Sequence, residues 1–243
     1  MKSIKNIVLA TLLAVGLVAA ATQVHAQGQE AAIRKNLADR LPQMGKIDEV
    51  TRTPMPGLYE IRIGMDVYYT DAEGNFVIHG QLIDAKAQRN LTEERTEKLM
   101  AIDFAALPLK DAFPIVRGNG KRKVALFEDP NCGYCKRFER DLQKVDNVTI
   151  YMFLYPILGP DSDAKSRNLW CAKDKGKAWL DYMVRDQGIA AASCDTAAVS
   201  RNVEFGRKYK ITGTPTMIFT NGTRVPGAIA AADVEKLLAD IKQ

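Results

Sequence analysis

Histidine and cysteine are scarce in this chain, which limits the metal chemistry that it can perform. Of the 243 residues only two are histidines, and His79 is the one that lies beyond the N-terminal segment. There are four cysteines, of which two form a close pair, but a zinc site would need two further ligands of suitable spacing. We therefore expect neither a metal centre nor another cofactor.

Long apolar runs are also missing beyond the N terminus. A basic start and a mostly apolar stretch over residues 7–21 precede Val24-His25-Ala26, whose small outer residues suit cleavage before Gln27. This pattern predicts a secretory signal peptide over residues 1–26. A membrane anchor is the alternative, but the run is shorter than the roughly 20 apolar residues that span a bilayer. We expect a soluble, exported protein.

The chain lacks a strong excess of charge of either sign. Its formal net charge is +5, and the basic residues are scattered apart from Lys121-Arg122-Lys123 and a lysine cluster at residues 173–177. No pattern of aromatic residues that could stack on bases accompanies either cluster. We interpret both clusters as solvated surface and expect no nucleic acid partner.

The paired thiols form the motif Cys132-Gly133-Tyr134-Cys135, between a strand-like run at residues 123–127 and a helical pattern. Two thiols three positions apart at the start of a helix can close and reopen a small disulfide ring. The first thiol lies where free backbone N–H groups and the helix dipole favour a thiolate. Because the thiolate is the attacking species in thiol–disulfide exchange, the motif predicts a redox-active Cys132–Cys135 pair.

The two thiols of the pair are assigned different roles. Cys132 is the candidate nucleophile, which would attack a substrate disulfide and form a mixed disulfide, and Cys135 is the candidate resolving thiol. A purely structural disulfide is the alternative for this pair. The four cysteines of an exported protein allow three pairings; adjacency favours Cys132–Cys135, which leaves Cys171–Cys194 as the second bridge.

The N-terminal part of the mature chain reads as a small α+β unit over residues 27–87. It starts with a helical pattern at residues 29–41 and continues as short strands, including a hairpin around Asp71-Ala72-Glu73-Gly74. A unit of this size buries little apolar surface, which suggests that it dimerises. A helix over residues 91–106, with Thr92 as its N-cap, predicts a linker.

The remaining residues, 108–243, read as a compact α/β domain. The order is strand, cysteine-pair helix, strand, a helical stretch, a further helix, a hairpin and a last helix. Thr214-Pro215 precedes the hairpin, and an X-Pro bond at this point can be cis or trans. A cis bond would turn the Thr214 backbone outward to pair with an extended substrate.

The order of the elements resembles the thioredoxin fold, and the details resemble the DsbC/DsbG family of bacterial periplasmic disulfide isomerases. Beside the cysteine pair, the motifs that carry this resemblance are Phe127-Glu128-Asp129, Asp161-Ser162-Asp163-Ala164, Trp170-Cys171-Ala172-Lys173-Asp174-Lys175, Ser193-Cys194-Asp195, Gly213-Thr214-Pro215, Asn221-Gly222-Thr223 and Val225-Pro226-Gly227, with Tyr69-Thr70-Asp71, Gly74 and Gly80 in the N-terminal part. The resemblance covers essentially the whole mature chain.

The resemblance implies an α/β thioredoxin-like catalytic domain (108–243) with a helical insertion, joined by a linker helix (88–107) to a small α+β dimerisation domain (27–87). It implies a V-shaped homodimer whose cleft holds misfolded or mis-oxidised exported proteins. It also implies a periplasmic location in a Gram-negative bacterium, and a membrane electron donor of the DsbD type that keeps the catalytic cysteines reduced.

At the level of single residues, the resemblance implies that Gly133, Tyr134, Thr214 and Pro215 bind substrate, with a cis bond before the proline. It also implies that the Cys171–Cys194 bridge is structural.

One departure from the thioredoxins concerns proton transfer. Thioredoxins carry a buried aspartate six residues before the first cysteine, and Leu126 stands there in this chain. Glu128 or Asp129 could replace it as a proton acceptor only if the geometry allows, and we do not predict that either does. Pro130-Asn131 before the first cysteine is a local variation within the family pattern.

Together these features predict a periplasmic disulfide isomerase/reductase that rearranges incorrect disulfides through a Cys132 mixed disulfide, with chaperone activity in the dimer cleft. One alternative is a DsbG-like reductase that protects single cysteines from oxidation. The other, from a different class, is a non-catalytic periplasmic holdase. A DsbA-like oxidant is disfavoured, because the resemblance implies that dimerisation would block reoxidation by a membrane partner.

Overall fold

The computed structural model describes residues 28–241. These residues form two compact units that are divided between Leu99 and Met100. The predicted signal peptide, residues 1–26, lies outside the described part of the chain. No helix among residues 28–241 has both the length and the apolar character needed to cross a membrane.

The first unit packs a helix against a four-stranded antiparallel sheet. Its elements are α1 (residues 28–40), β1 (Glu49–Arg52), β2 (Leu58–Ile63), β3 (Asp66–Asp71) and β4 (Val77–Ile78), with the strands in sequential order. Ile33 and Leu37, one turn apart on α1, are buried against Ile47, Tyr59 and Ile61. The helix and the hairpin predicted for this region are therefore both present.

Two short strands and a second helix complete the first unit. The strands β5 (Ile83–Asp84) and β6 (Arg89–Asn90) pair with each other and lead into α2 (Leu91–Met100). Arg95 of α2 forms ion pairs with Glu60 at 2.8 Å and Glu49 at 2.6 Å. The predicted linker helix is therefore tied by side-chain contacts to the sheet of the first unit.

Helix α2 is shorter than predicted. The sequence pattern indicates a helix up to residue 106, whereas α2 ends at Met100. The chain leaves the helix after Met100 and forms a separate 3-10 turn at Phe104–Ala106. Between them Ile102 is buried, and its backbone N–H donates to the carbonyl oxygen of Gly222 at 3.1 Å. This tertiary contact replaces the hydrogen bond that continuation of the helix would have supplied.

The predicted N-cap of this helix is also wrong. Thr92 lies inside α2, and its hydroxyl accepts a hydrogen bond of 2.8 Å from the backbone N–H of Leu82. The side chain of Asn90 instead accepts from the N–H of Glu93 at 3.2 Å, which is the hydrogen bond expected of a cap. The threonine is thus used to hold the preceding hairpin against the helix.

The second unit contains a five-stranded mixed sheet with helices on both faces. Its elements are β7 (Phe113–Arg117), β8 (Arg122–Glu128), α3 (Gly133–Leu142), β9 (Val148–Leu154), α4 (Pro160–Trp170), α5 (Lys175–Met183), α6 (Ala197–Lys208), β10 (Thr216–Phe219), β11 (Arg224–Pro226) and α7 (Ala231–Asp240). The strand order is β11-β10-β8-β9-β7. Only the central pair β8 and β9 is parallel, as a βαβ crossover through α3 requires.

Strand β7 has no counterpart among the predicted elements, and its second residue is Pro114. In the structure β7 forms one edge of the sheet, where a proline need not donate a ladder hydrogen bond. Phe113 and Ile115 of this strand are buried, and Pro114 and Val116 between them are exposed. The alternation typical of a strand was therefore present in the sequence.

Strand β8 has apolar side chains on both of its faces and so lies within the core. Val124 and Leu126 belong to the cluster that includes α3, whereas Ala125 and Phe127 belong to a cluster on the other face. The ring of Phe127 stacks on that of Phe153 with centroids 4.5 Å apart. Since β8 is fixed from both faces, the turn that follows it starts from a rigid position.

The helical insertion of α4 and α5 carries the disulfide. Cys171, at the end of α4, is bonded to Cys194, with the two Cα atoms 5.5 Å apart. Beside the bridge, the indole N–H of Trp170 donates to the carbonyl oxygen of Asp195 at 3.1 Å. The disulfide therefore connects the C-terminal end of α4 to the segment that leads into α6.

Candidate active site

The paired cysteines lie where β8 ends and α3 begins. Cys132 is the N-cap of α3, and its sulfur accepts a hydrogen bond of 3.3 Å from the backbone N–H of Cys135. A residue at this position faces the unpaired N–H groups of the first helical turn. Both cysteines are free thiols in the structure. The sequence thus places the first sulfur in the position that stabilises a negative charge.

The surroundings of Cys132 favour its thiolate form. The Cys135 thiol donates to the Cys132 sulfur, and the Thr214 side chain and the backbone N–H groups of Cys135 and Tyr134 add to its hydrogen bonding. These donors outweigh burial and lower the pKa of Cys132 to about 5, from an ordinary value near 9. A thiol with this pKa is ionised at neutral pH and is therefore ready to attack a disulfide.

Cys135 has the opposite character. It is fully buried, and this burial, the hydrogen bond that it gives to Cys132 and the nearby carboxyl of Glu128 all raise its pKa. It therefore stays protonated while Cys132 is ionised. The two sulfurs therefore differ in protonation state at neutral pH: Cys132 is a thiolate and Cys135 is a thiol.

The loop before β10 forms the second side of the site. The Thr214-Pro215 peptide bond is cis, and the carbonyl oxygen of Thr214 lies 3.4 Å from the sulfur of Cys132. Pro215 is buried while Thr214 is partly exposed. Gly133 and Tyr134 are both exposed beside the sulfur, with 65% of Tyr134 accessible. All four predicted substrate-binding residues therefore lie around Cys132.

Asp129 organises the turn between β8 and α3. Its buried carboxylate accepts from the backbone N–H of Asn131 at 2.8 Å and from the hydroxyl of Ser162 at 2.7 Å. Its other oxygen accepts from the N–H groups of Ile157 and Leu158 at 2.8 and 2.9 Å. Four donors hold this carboxylate, so it fixes the turn between β8 and α3.

The residue before it, Glu128, has a different environment. It is fully buried, and its neighbours are the thiol of Cys135 and the carboxyl of Glu139. Glu139 is also buried and accepts a hydrogen bond of 2.7 Å from the indole N–H of Trp179. Sequence reasoning overlooked Glu139, although it occupies an apolar-stripe position on α3, one residue after Phe138 and three before Leu142. A charge on such a stripe is a signal that could have identified it.

Among residues 28–241, no three or more His, Cys, Asp or Glu side chains lie close enough together to hold a metal ion.

Comparison with protein families matches both units. Residues 109–242 match the thioredoxin-like domain, and residues 24–93 match the disulfide bond isomerase protein N-terminal domain. The first match covers the second unit with the cysteine pair, and the other covers the sheet of the first unit. The combination of these two domains agrees with the fold that the resemblance implied.

Individual proteins that are similar to this chain are also thiol:disulfide interchange proteins. The probable thiol:disulfide interchange protein DsbC of Bordetella pertussis is 46% identical over 210 residues, which cover 86% of this chain and 74% of that protein. DsbC of Escherichia coli K12 is 29% identical over 239 residues, covering 96% of this chain and 95% of that protein. A disulfide interchange protein from Neisseria gonorrhoeae has a crystal structure that covers 56% of this chain and 99% of its own, with 38% identity and a TM-score of 0.54.

The thioredoxin-like sheet and the cysteine pair at the start of α3 define an enzyme of thiol–disulfide exchange. Within this class, the chain belongs to the DsbC family of thiol:disulfide interchange proteins. The sequence-based prediction of family, fold and enzyme class is thus confirmed.

Proposed function

We propose that the protein is a disulfide isomerase that rearranges incorrect disulfides in exported proteins. The observation that carries the proposal is the environment of Cys132, whose sulfur meets the N-terminal N–H groups of α3 on one side and Thr214 on the other. Cys132 attacks a substrate disulfide, and one substrate sulfur leaves as a thiolate. The mixed disulfide is then broken by a second substrate thiol, which shuffles the bond, or by Cys135, which reduces the substrate.

The substrate lies across the exposed surface formed by Gly133, Tyr134, Thr214 and Pro215. The exposed ring of Tyr134 offers apolar area, and the Arg137 guanidinium lies over it at 4.5 Å from the ring centroid. A sequence-tolerant contact of this kind suits an enzyme that accepts many misfolded chains. The Cys171–Cys194 bridge has a structural role in this proposal.

The protein functions as a homodimer through residues 27–87, with residues 88–107 as the linker and 108–243 as the catalytic domain. The support comes from the first unit, where β4 is the last strand of the four-stranded sheet. Phe76, just before this strand, is 71% exposed, and Ile78 on the strand is 53% exposed. An edge strand with exposed apolar side chains is a template for pairing with another chain. The cleft of the dimer would hold misfolded proteins and provide chaperone activity.

Membership of the DsbC family supports a proposal for where the enzyme acts and how it is reduced. The chain would be exported by the signal peptide at residues 1–26 and would act in the periplasm. A membrane electron donor of the DsbD type would return Cys132 and Cys135 to the thiol state after each reduction of a substrate. No bound cofactor is needed for this exchange, because the electrons pass between sulfurs.

The test is the refolding of a scrambled protein with several disulfides, in which wild type, Cys132→Ala and Cys135→Ala are compared. The proposal predicts recovery that requires Cys132. If recovery survives Cys135→Ala, shuffling dominates over reduction. Reduction of a simple disulfide without recovery of the scrambled protein would instead support the DsbG-like reductase. Suppression of aggregation that survives Cys132→Ala, without recovery, would support the holdase.

A further inference from the structure

Glu128 is a buried carboxyl that the exchange chemistry described above does not use. It is fully buried, and neither of its carboxyl oxygens makes a hydrogen bond of good geometry within the described residues. Its nearest polar groups are the Cys135 thiol and the Glu139 carboxyl. An unsatisfied carboxyl inside a core costs stability, so its presence beside the resolving thiol requires an explanation.

The second carboxyl, Glu139, is supported where Glu128 is not. One oxygen accepts the indole N–H of Trp179 at 2.7 Å, and the other lies 3.9 Å from the guanidinium of Arg117. These two groups favour a negative charge on Glu139. Three elements therefore contribute to one buried chain of polar groups: β8 with Glu128, α3 with Cys135 and Glu139, and β7 with Arg117.

We propose that Glu128 and Glu139 act as a two-carboxyl proton relay for the resolving thiol. In the mixed disulfide, Cys135 gives its proton to Glu128, and Glu128 passes its own proton to the Glu139 carboxylate. The Cys135 thiolate then attacks the Cys132 sulfur. A bond forms between these two sulfurs, the bond from Cys132 to the substrate breaks, and the substrate sulfur leaves as a thiolate that takes a proton from solvent. The enzyme pair is oxidised and the substrate cystine is reduced.

The distribution of protons before the step agrees with this relay. Burial and the neighbouring Glu139 raise the pKa of Glu128 well above its usual range, so Glu128 holds a proton. Burial also raises the pKa of Glu139, but the hydrogen bond from Trp179, the neighbouring Glu128 carboxyl and the charge of Arg117 oppose this rise. The pKa of Glu128 is raised more strongly than that of Glu139, so a single proton shared by the two carboxyls favours Glu128.

The relay is located differently from the acceptor of the thioredoxins, where a single aspartate stands six residues before the first cysteine. Here that position is Leu126, and the carboxyl comes from Glu128 with its partner on α3. The inference rests on the proposed roles of Cys132 as nucleophile and Cys135 as resolving thiol. Its experiment is therefore chosen so that a failure of those roles gives a different result from a failure of the relay.

The experiment follows the two steps separately in the full-length reduced protein. A short peptide with one intermolecular disulfide is added, samples are quenched with acid, and mass spectrometry measures the mixed disulfide over time. The variants are Glu128→Gln and Glu139→Gln, which keep the size of the side chain but cannot act as a carboxylate. Glu235→Gln, a half-exposed residue paired with Arg122, is the matched control.

The relay predicts that Glu128→Gln slows resolution of the mixed disulfide about 100-fold at neutral pH, within the usual range for general base catalysis. The second-order formation of the mixed disulfide is unchanged, because Cys132 makes that attack. Glu139→Gln slows resolution at least about tenfold, and the double variant is no slower than Glu128→Gln because the two residues act as one unit. Glu235→Gln behaves as wild type in both steps.

A pH profile separates the relay from a structural role. Resolution in wild type levels off with rising pH once Glu139 is ionised, whereas resolution in Glu128→Gln keeps rising because hydroxide must take the proton. The relay would be overturned if Glu128→Gln resolved the mixed disulfide at the wild-type rate. It would also be overturned if the variant slowed both steps equally or left the pH profile unchanged. If Cys135→Ala accumulates no mixed disulfide at Cys132, the proposed roles of the two cysteines are wrong instead.

Discussion

The sulfur of Cys132 lies 3.4 Å from the carbonyl oxygen of Thr214, a residue 82 positions further along the chain. The contact joins the start of α3 to the loop before β10. The side chain of Thr214 also contributes a hydrogen bond to the Cys132 sulfur, which helps to lower the pKa of that thiol to about 5. Ionisation of the Cys132 thiol therefore depends on a residue that we also propose to bind substrate.

Replacing Thr214 by valine keeps the shape of the side chain and removes its hydroxyl. We expect the pKa of Cys132 to rise above its value of about 5, because one stabilising donor is lost. Titration of the thiolate absorbance of the reduced protein measures this change. Thr212→Val, in the exposed part of the same loop, is the control and should leave the titration unchanged. Equal titration of Thr214→Val and wild type would contradict the role of the hydroxyl.

The stability of the reduced protein should depend on pH through Cys132. Its pKa is about 5 in the folded protein and near 9 when unfolded, so the unfolded state binds the extra proton between these values. The stabilisation by the thiolate is complete above pH 9 and is lost as the pH falls towards 5. The difference in free energy of unfolding between wild type and Cys132→Ser should therefore grow as the pH rises through this window. A difference that is constant or falls with pH would contradict the lowered pKa.

Asp129 should be important for stability because four donors converge on its buried carboxylate. In Asp129→Asn, an amide would face the N–H groups of Ile157 and Leu158, and these donors would lose their acceptor. We expect a loss of about 2–3 kcal/mol, measured by urea unfolding. Asp186→Asn is the matched control, since this exposed residue forms surface ion pairs with Lys136 and Arg140, and it should cost under about 0.5 kcal/mol. Similar losses in the two variants would contradict this account of the turn.

The Cys171–Cys194 bridge should contribute to stability without taking part in exchange. It closes a loop with a sequence separation of 23 residues, and its removal in Cys171→Ala/Cys194→Ala should cost about 3 kcal/mol in the chain-entropy model. Under conditions in which the variant is folded, Cys132 should be alkylated at the wild-type rate, because neither Cys171 nor Cys194 hydrogen-bonds to that thiol in the described structure. Loss of Cys132 reactivity in a variant that remains folded would show that the bridge does more than stabilise.

The edge strand of the first unit offers a test of dimerisation. Ile78 lies on β4, and Ile78→Lys would place a charge on this exposed apolar edge. We expect light scattering to detect a dimer for wild type and a monomer for the variant. Val116→Lys changes an exposed residue on β7, an edge strand of the five-stranded sheet in the second unit, and should leave the dimer intact. A dimeric Ile78→Lys protein would exclude β4 as the dimer contact.

Much of this fold could be predicted from local patterns, because those patterns reflect burial. The strand over Val148–Leu154 and the helix after Cys132 follow directly from apolar periodicity and capping. Helix α2 ended early because Ile102 is captured by a backbone contact with Gly222, which no local pattern encodes. Strand β7 was overlooked because a proline is compatible with a strand only at a sheet edge, and edge position is a property of the assembled sheet.

The active site, like the fold, could be predicted only where local sequence patterns determine it. The position of Cys132 and Cys135 at the start of α3 could be predicted, since it depends on their spacing and on the helical pattern that follows. The pairing of Glu128 with Glu139 could not, because it depends on how closely β8 and α3 pack. Within the sequence, both residues read as ordinary charged positions, and only the assembled structure shows that both are completely buried and that Glu128 lies near the Cys135 thiol.

The central claim is that Cys132 is the reactive thiolate of the pair and Cys135 is its protected partner. The most direct measurement is the rate of alkylation of the reduced wild-type protein across pH, with mass spectrometry to identify the modified cysteine. We predict modification of Cys132 first, with a half-maximal rate near pH 5. Modification of Cys135 first, or a midpoint near the ordinary thiol value of 9, would contradict the account.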